Sequence, residues 1–409
     1  MSPVPSYDVY LGDVQVGSLF EDPSGRVGFR FSERYKHLPK RPVLSQSFED
    51  NLDKVYWGKR PGVLPVFFAN LLPEGILKNV LQRSLQVPEG EDLRLLAEAG
   101  GDLPGALALR LGDYLGEVPD AEGEPLENET EGKEKKLRFS LAGVQLKFSM
   151  VRTDDRFTLP ARNAQGDWIL KVATGECREL PENEYSVMEW ARRAGFDVPR
   201  CEIAAPGQLE ELKSVVDAGA RALAVRRYDR AAGTRVHQED FAQVMGRSPG
   251  DPKYESTYEV LGSLVYGILG DEGLYEFVRR LAFVVASGNH DAHLKNWSLL
   301  YPDGMTPAWT PVYDQVAVVA WPKIPYELGL KFAGSRDPAR VSLESFRRLA
   351  AAARVDEQRV AEEALKTVER ARDAWKAYHS QWPLPVEHRE AIRAHWRRVP
   401  VLRQLGELP

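Results

Sequence analysis

The sequence predicts an α+β protein: a small sheet lobe followed by a helical lobe, the pair preceded by a compact α+β unit. Three observations carry this expectation. Short period-two runs occupy residues 7–31, strand-like segments recur between Phe139 and Tyr228, and from Tyr254 onward the apolar residues repeat at helical spacing. A chain of 409 residues can hold two or three cores. Its 43% hydrophobic and 28% charged residues exclude a disordered, collagenous or membrane-embedded composition.

In chain order, Tyr7–Leu11, Val14–Leu19 and Val27–Phe31 alternate apolar and polar residues, the first pair across a Gly12-Asp13 turn, and read as a small antiparallel sheet. Residues 65–86 then read as helix, with Phe68, Leu71, Leu72, Ile76, Val80 and Leu81 on one face. Between Gly116 and Gly132 lie seven acidic residues and no basic one, broken by Pro119 and Pro125. That run cannot bury enough apolar area to offset its ordering entropy, so it reads as a linker or long exposed loop. The expected division is therefore an N-terminal domain over 1–115, an acidic linker over 116–136, a sheet lobe over 137–230 and a helical lobe over 231–409. Within the sheet lobe, Phe139–Met150, Trp168–Ala173 and Leu223–Tyr228 read as strands and Asn183–Ala194 as a helix. Within the helical lobe, Tyr258–Leu269 and Leu274–Ser287 are apolar helices, Ser342–Trp382 and Val386–Arg398 amphipathic ones.

A net charge of −6, from 54 basic against 60 acidic side chains, provides no global positive field for nucleic-acid phosphates, so any DNA contact is expected to be indirect. Cys177 and Cys201 are the only cysteines and form no Cys-x-x-Cys, which disfavours a disulfide framework or zinc ribbon and points to the cytoplasm. Met1–Asp8 shows no basic segment leading into an apolar core, and no run approaches the ~20 apolar residues that span a bilayer, so neither leader nor membrane anchor is expected.

The densest polar stretch is Ser287-Gly288-Asn289-His290-Asp291-Ala292-His293-Leu294-Lys295-Asn296, set between two apolar segments. Polar groups so placed are costly unless hydrogen-bonded or used. The interval from Asp291 to Asn296 is that of a phosphotransfer catalytic loop, in which the Asp accepts a hydroxyl proton, the Asn holds magnesium, and Lys295 neutralises charge on the transferred group. Asp314, beyond a hairpin of Trp297–Tyr301 and Trp309–Val312, offers a second oxygen ligand. By themselves, His290 and His293 read as satisfied loop histidines or as part of a metal site with Asp291, and Asp314 reads equally as a turn residue. Lys171 lies on an apolar strand with Glu184 on the next helix, which suits a phosphate-contacting lysine or an edge lysine reaching water. Ser140–Lys147 holds one glycine and reads as a phosphate-capping loop or a plain hairpin.

These pieces occur together in an order that resembles the HipA family of bacterial toxin kinases. The resemblance rests on Pro65–Gly75, Gly101-Asp102-Leu103-Pro104-Gly105-Ala106, Ser140–Lys147, Leu170-Lys171, Asn183-Glu184, Val225–Arg230, His237–Phe241, Asn289–Asn296 and Tyr313-Asp314. It implies a two-lobed kinase-like catalytic unit behind a small α+β N-terminal domain, using ATP and Mg2+. Ala142, Gly143, Val144, Gln145, Leu146 and Lys147 would form the phosphate loop, and Lys171 would contact phosphate. Arg226, Arg227 and Tyr228 would read adenine through their backbone. His293, Leu294, Lys295 and Asn296 would line the phosphates, Asp291 would act as the catalytic carboxylate, and Asn296 with Asp314 would hold the metal. Ser140 corresponds to an autophosphorylated, self-inactivating serine. The implied partners are a HipB-like antitoxin, through which any DNA would be met, and as substrate an aminoacyl-tRNA synthetase, glutamyl-tRNA synthetase foremost. Leu146 and Arg226 depart from the acidic residues frequent in the family at those places. The alternatives are a small-molecule kinase and an inactive antitoxin-binding co-repressor subunit.

Overall fold

The alternating runs of the N-terminal unit pair as three antiparallel strands, β1 (Val4–Leu11), β2 (Val14–Glu21) and β3 (Val27–Phe31). In this computed structural model the described residues are 4–114, 145–153, 156–158, 165–173, 177, 179–209, 221–231 and 233–408. With β4 (Tyr56–Trp57) and β5 (Leu107–Tyr114) the strands form a five-stranded antiparallel sheet in the order β4-β3-β2-β1-β5. Phe29 and Phe31 turn one face onto Phe48, Phe67 and Phe68, with neighbouring rings 4.8–5.9 Å apart, which is favourable aromatic packing. The helices α1 (Glu33–Lys36), α2 (Val66–Ala69), α3 (Gly75–Leu85) and α4 (Asp92–Ala99) complete the unit.

The single helix expected over 65–86 is in fact two, α2 and α3, separated by Asn70–Glu74. Pro73 cannot donate to a helical ladder, and Gly75 adopts φ 59°, a left-handed value that a β-carbon disfavours. The break sends Asn70 and Glu74 out of the domain core.

The second sheet is built from β6 (Gln145–Thr153), β7 (Arg156–Thr158), β8 (Trp168–Ala173), β9 (Cys201–Ala204) and β10 (Ala222–Arg226), antiparallel in the order β7-β6-β8-β10-β9. Alternation along β10 splits its burial: Ala222 and Ala224 face Trp168, Leu170 and Phe157, while Leu223 and Val225 join the main core with Trp190 and Val187 of α5 (Leu180–Arg193). Residues 139–144 of the expected first strand, and the linker over 116–136, lie outside the described residues, while Arg227 and Tyr228 stand beyond the end of β10.

A short hairpin, β11 (Arg230–Ala231) and β12 (Thr234–Arg235), leads into the helical lobe. There β13 (His237–Asp240), β14 (Ser298–Tyr301) and β15 (Ala308–Trp309) form a three-stranded sheet beside α6 (Phe241–Val244), α7 (Tyr258–Ser287), α8 (Leu343–Ala353), α9 (Glu357–Tyr378), α10 (Val386–Arg398) and α11 (Pro400–Arg403). The two apolar helices expected at 258–287 meet at Gly270, whose φ of 66° and ψ of −161° break the ladder inside α7. The amphipathic stretch 342–382 likewise divides, because Arg354 closes α8 in the left-handed region and Asp356 caps α9.

Polar contacts dock the N-terminal unit on the rest. Ser45 Oγ, the Gln46 amide and the Tyr301 hydroxyl all donate to the buried Glu239 carboxyl. Asp102 accepts from Arg227 (2.8 Å) and Arg230 (2.9 Å), and the Gly105 amide donates to Asp229 (2.8 Å). Gly105 sits at φ 71°, where an added Cβ would fall 2.9 Å from the Gln238 nitrogen, so this approach requires glycine.

Burial pushes the Glu239 carboxyl up from 4.5 to about 7 against the pull of its three donors. The folded state therefore holds a proton that the unfolded chain has lost, and this contribution to stability is full below about 4.5 and disappears as pH rises through about 7. In urea unfolding, the stability of the wild type relative to Glu239→Gln should decline across that window and then level. The neighbouring Asp240 and His237 are present in both proteins, and Tyr301 stays protonated throughout the window. Parallel curves across the window would show that Glu239 folds ionised.

Candidate active site

The site begins where α7 ends. Gly288, at φ 68°, caps that helix, and any Cβ there would lie 2.6 Å from Val319. Two donors on α10 hold the helix end: His395 Nε2 bonds the Val285 carbonyl (2.7 Å) and Trp396 Nε1 the Ala286 carbonyl (2.8 Å). With Nε2 donating, His395 Nδ1 accepts from the Tyr326 hydroxyl at 2.7 Å. His290 packs edge-on against Tyr326, and burial, with the neighbouring His395 ring and the Arg398 charge, pushes its imidazole well below the usual range. It belongs to this packing and not to the cavity.

The loop then exposes its polar groups toward the sheet lobe. Buried Asn289 donates to the Asp314 carbonyl at 3.3 Å and accepts the Asp291 amide at 3.3 Å, tying the two acidic residues together through the backbone. Asp291 Oδ1 accepts the Tyr254 hydroxyl at 2.7 Å. Burial raises the Asp291 carboxyl from 3.8 to about 6; the Tyr254 hydroxyl and the Lys253 charge resist, while the Asp314 charge adds to the rise. His293 meets the Tyr254 ring edge-on, with centroids 5.0 Å apart, and burial beside Lys253 and Lys295 keeps its imidazole neutral. Asn296 Oδ1 accepts the His293 amide at 3.0 Å.

Across the cavity, Lys147 on β6 and Lys171 on β8 are register partners and so share a face of the sheet. Lys171 is buried and bonded to both Glu184 of α5 and Asp314, whose other oxygen accepts from Lys147 at 3.2 Å. Burial pulls Asp314 upward, yet the two ammonium groups hold it well below the carboxylate range; burial pulls Lys171 downward, yet its two carboxylates hold it above the lysine range. Asp314 has φ 52°, a left-handed conformation uncommon outside glycine, which is compatible with a backbone over-determined by these contacts.

Asp291, His293, Lys295, Asn296, Asp314, Lys147 and Glu184 line one cavity of about 400 Å³. Asn70, Leu71, Leu72, Pro73, Glu74 and Pro104 of the N-terminal unit close another side of it, with Lys253 beside them. Other expected site residues stand elsewhere. Leu294 is fully buried in the main core, and Arg227 spends its guanidinium on Asp102 and Asp229 because its burial demands paired charge. The amides of Arg226 and Arg227 bond the Arg200 and Asp167 carbonyls. Arg226 is exposed near Asp167, Tyr228 bonds Gln238, and none of the three lines the cavity. Gln145 opens β6 and Leu146 is half-buried on it, whereas Ser140, Ala142, Gly143 and Val144 lie outside the described residues. Asn70, Glu74 and Lys253 are cavity residues that motif reading missed, as it missed Tyr254, which stands behind the wall bonded to Asp291; the one local signal was an Asn and a Glu inside an otherwise apolar run. Among the described residues no three His, Cys, Asp or Glu side chains cluster as a metal site. Asp314 and Asn296 both line the cavity, and their side-chain oxygens, now bonded to Lys171, Lys147 and the His293 amide, are of the type that suits a hard cation such as magnesium better than zinc.

Comparison with known proteins places the whole chain. Residues 7–110 match the HipA N-terminal domain family and residues 139–375 the HipA-like C-terminal domain family. A Sinorhizobium fredii protein named "Putative kinase" is 36% identical over 414 residues, covering 100% of both chains, and a second one so named is 31% identical, covering 77% of this chain and 78% of its own. The serine/threonine-protein kinase toxin HipA of Shewanella oneidensis is 24% identical, with 81% and 79% covered. In fold, the chain is similar to HipA in the solved complex of Shewanella oneidensis HipA, HipB and operator DNA, with a TM-score of 0.71 and 20% identity over 95% of this chain and 94% of that one. Both halves of the sequence and the two-lobed α+β architecture thus agree, and the chain belongs to the HipA family.

Proposed function

We propose that this protein is an ATP- and magnesium-dependent serine/threonine protein kinase, the toxin of a type II toxin–antitoxin pair. The observation that carries the reading is one cavity lined by Asp291, Glu184 and Asp314, the last two holding the buried Lys171 behind its wall. In this reading Asp291 Oδ2 takes the proton of the acceptor hydroxyl, while Tyr254 occupies Oδ1 and fixes the carboxylate. Lys171, oriented by Glu184, and Lys147 turn toward nucleotide phosphates, and Lys295 faces the transferred group. Asn296 and Asp314 would hold magnesium, which supplies charge neutralisation on those phosphates. In the same reading the Ser140–Lys147 loop would cap them, and the adenine contact implied for the backbone of 226–228 would fall to groups other than the Arg226 and Arg227 amides, which bond the Arg200 and Asp167 carbonyls.

The finer assignments follow the same reading. The chain divides into an N-terminal domain (1–115), acidic linker (116–136), sheet lobe (137–230) and helical lobe (231–409). The likeness to HipA in its complex with HipB and operator DNA supports a HipB-like antitoxin as partner, and the reading extends to an aminoacyl-tRNA synthetase, glutamyl-tRNA synthetase first, as substrate, with growth arrest as outcome. The net charge of −6 favours DNA contact only through the antitoxin. No helix among the described residues is long and apolar enough to cross a membrane, and cytoplasmic action is part of this proposal.

Asp291→Ala should lower phosphoryl transfer by at least ~100-fold while ATP binding changes no more than about threefold, since a proton acceptor acts mainly in the transition state. Chelation of magnesium should abolish transfer by the wild type. Unchanged turnover in Asp291→Ala would remove the basis of the reading.

Because burial raises the Asp291 carboxyl of the free protein to about 6 and it works deprotonated, kcat/KM should rise about tenfold per pH unit up to that value and then flatten. A profile flat down to pH ~4, the ordinary range of a free carboxyl, would exclude Asp291 as the titrating base.

After incubation with magnesium and ATP, mass spectrometry should find phosphate on Ser140 of the wild type and none on Asp291→Ala. A phosphoserine adds about −1.5 to −2 charges. Placed in the phosphate loop, it repels nucleotide, so Ser140→Asp should bind ATP poorly and Ser140→Ala well. Full ATP affinity in the aspartate variant would refute the off-switch.

A further inference from the structure

The break between α2 and α3 carries Asn70 and Glu74 into the cavity wall, where they meet two of its lysines. Lys295, four residues past Asp291, donates to the Asn70 carbonyl at 3.0 Å and to Asn70 Oδ1 at 3.1 Å. Its ammonium also lies 3.6 Å from Glu74 Oε1 and 3.8 Å from Asp240 Oδ2. Glu74 Oε2 accepts from buried Lys253 at 2.8 Å, so one carboxylate serves both cations. The Asn70 amide is itself fixed, because its Nδ2 donates to the Val66 carbonyl at 3.0 Å and the Arg247 carbonyl at 2.8 Å. That assignment leaves Oδ1 as the atom presented to Lys295.

These contacts exceed what docking of the N-terminal unit requires. Ser45, Gln46, Asp102 and Gly105 already join it to Glu239, Arg227, Arg230 and Asp229. Asn70 and Glu74 instead meet side chains of the catalytic loop and of the segment that bears Tyr254. A lysine has a long, rotatable stem and strongly hydrated donors, so its ammonium stays in one place only where fixed acceptors hold it.

We infer that Asn70 and Glu74 are positioning residues of the catalytic cavity: the N-terminal domain supplies the acceptors that hold the Lys295 ammonium beside Asp291, and the site is incomplete without them. The inference rests on the phosphoryl-transfer reading of this cavity. Glu74 also balances Lys253 and Lys295, so that the charge facing a bound nucleotide is set in part by a domain outside the two lobes.

The test uses the full chain with Asn70→Ala, the isosteric Glu74→Gln, and Ser45→Ala, which weakens the same interface away from the cavity. Two readouts are taken at a temperature where all are folded by circular dichroism: steady-state phosphoryl transfer, and the labelling rate of Lys295 by an amine-reactive reagent, followed by peptide mass spectrometry. Asn70→Ala and Glu74→Gln should lower kcat about tenfold or more, leave KM for ATP within about threefold, and raise Lys295 labelling several-fold. Ser45→Ala should change neither. Unaltered labelling and kcat in both cavity variants would overturn the inference, as would an equal fall in kcat for Ser45→Ala, which would reduce the contacts to docking. Should the wild type transfer no phosphoryl group while Lys295 labelling still responds to Asn70→Ala, the kinase reading fails and the positioning of Lys295 by the N-terminal domain stands.

Discussion

A lysine buried in the middle of a sheet is the constraint around which this molecule is arranged. An ammonium taken out of water costs several kcal/mol unless carboxylates meet it. Lys171 meets two, from opposite directions: Glu184 on α5 and Asp314 on the chain leaving the β14–β15 hairpin. One of those carboxylates belongs to the helical lobe, so satisfying the lysine also fixes the sheet lobe against it. Asn289 carries the constraint onward by bonding the Asp314 carbonyl while accepting the Asp291 amide. The geometry of the cavity thus descends from one buried cation.

The N-terminal unit is held by the same logic. Arg227 and Arg230 are nearly buried and share Asp102 and Asp229 as acceptors, while the carbonyls of Leu103 and Gly105 absorb further donors. Burial, and after it the crowding of guanidinium groups, lowers the pKa of Arg230 and takes Arg235 down to about 10. The Gly101–Ala106 stretch is therefore a clasp on the segment joining the lobes, and its glycine at 105 is needed because the Gln238 backbone passes so close.

Much of this was legible in the chain. The hairpin turn at Gly12-Asp13, the strand 168–173 and the helix 386–398 followed from periodicity and turn chemistry, which are local properties. Asp291, Asn296 and Asp314 stood out because polar residues crowded between apolar segments must be paired or put to use. The break at Arg354 was not legible, since an apolar period of 3.6 continues through a few residues whether or not the ladder does, and at Asn70–Glu74 the same period masked the breakers Pro73 and Gly75. The side-chain pairing of Arg227 was not legible for a related reason: its partners Asp102 and Asp229 are 125 and two residues away, and only the folded chain shows the nearer one sharing its burial with the farther.

The sequence by itself determined the α+β order of elements, the family, and which polar side chains crowd into one loop between apolar segments, because those depend on residue type and on spacing within a loop or along a strand. Tertiary structure alone decided that Lys147 and Lys171 converge on Asp314, that Tyr254 meets Asp291, and that Asn70 and Glu74 enter the cavity from another domain. Pairing of that kind is settled by which buried charges find partners when separate elements pack, and a linear chain records the charges without recording the partners.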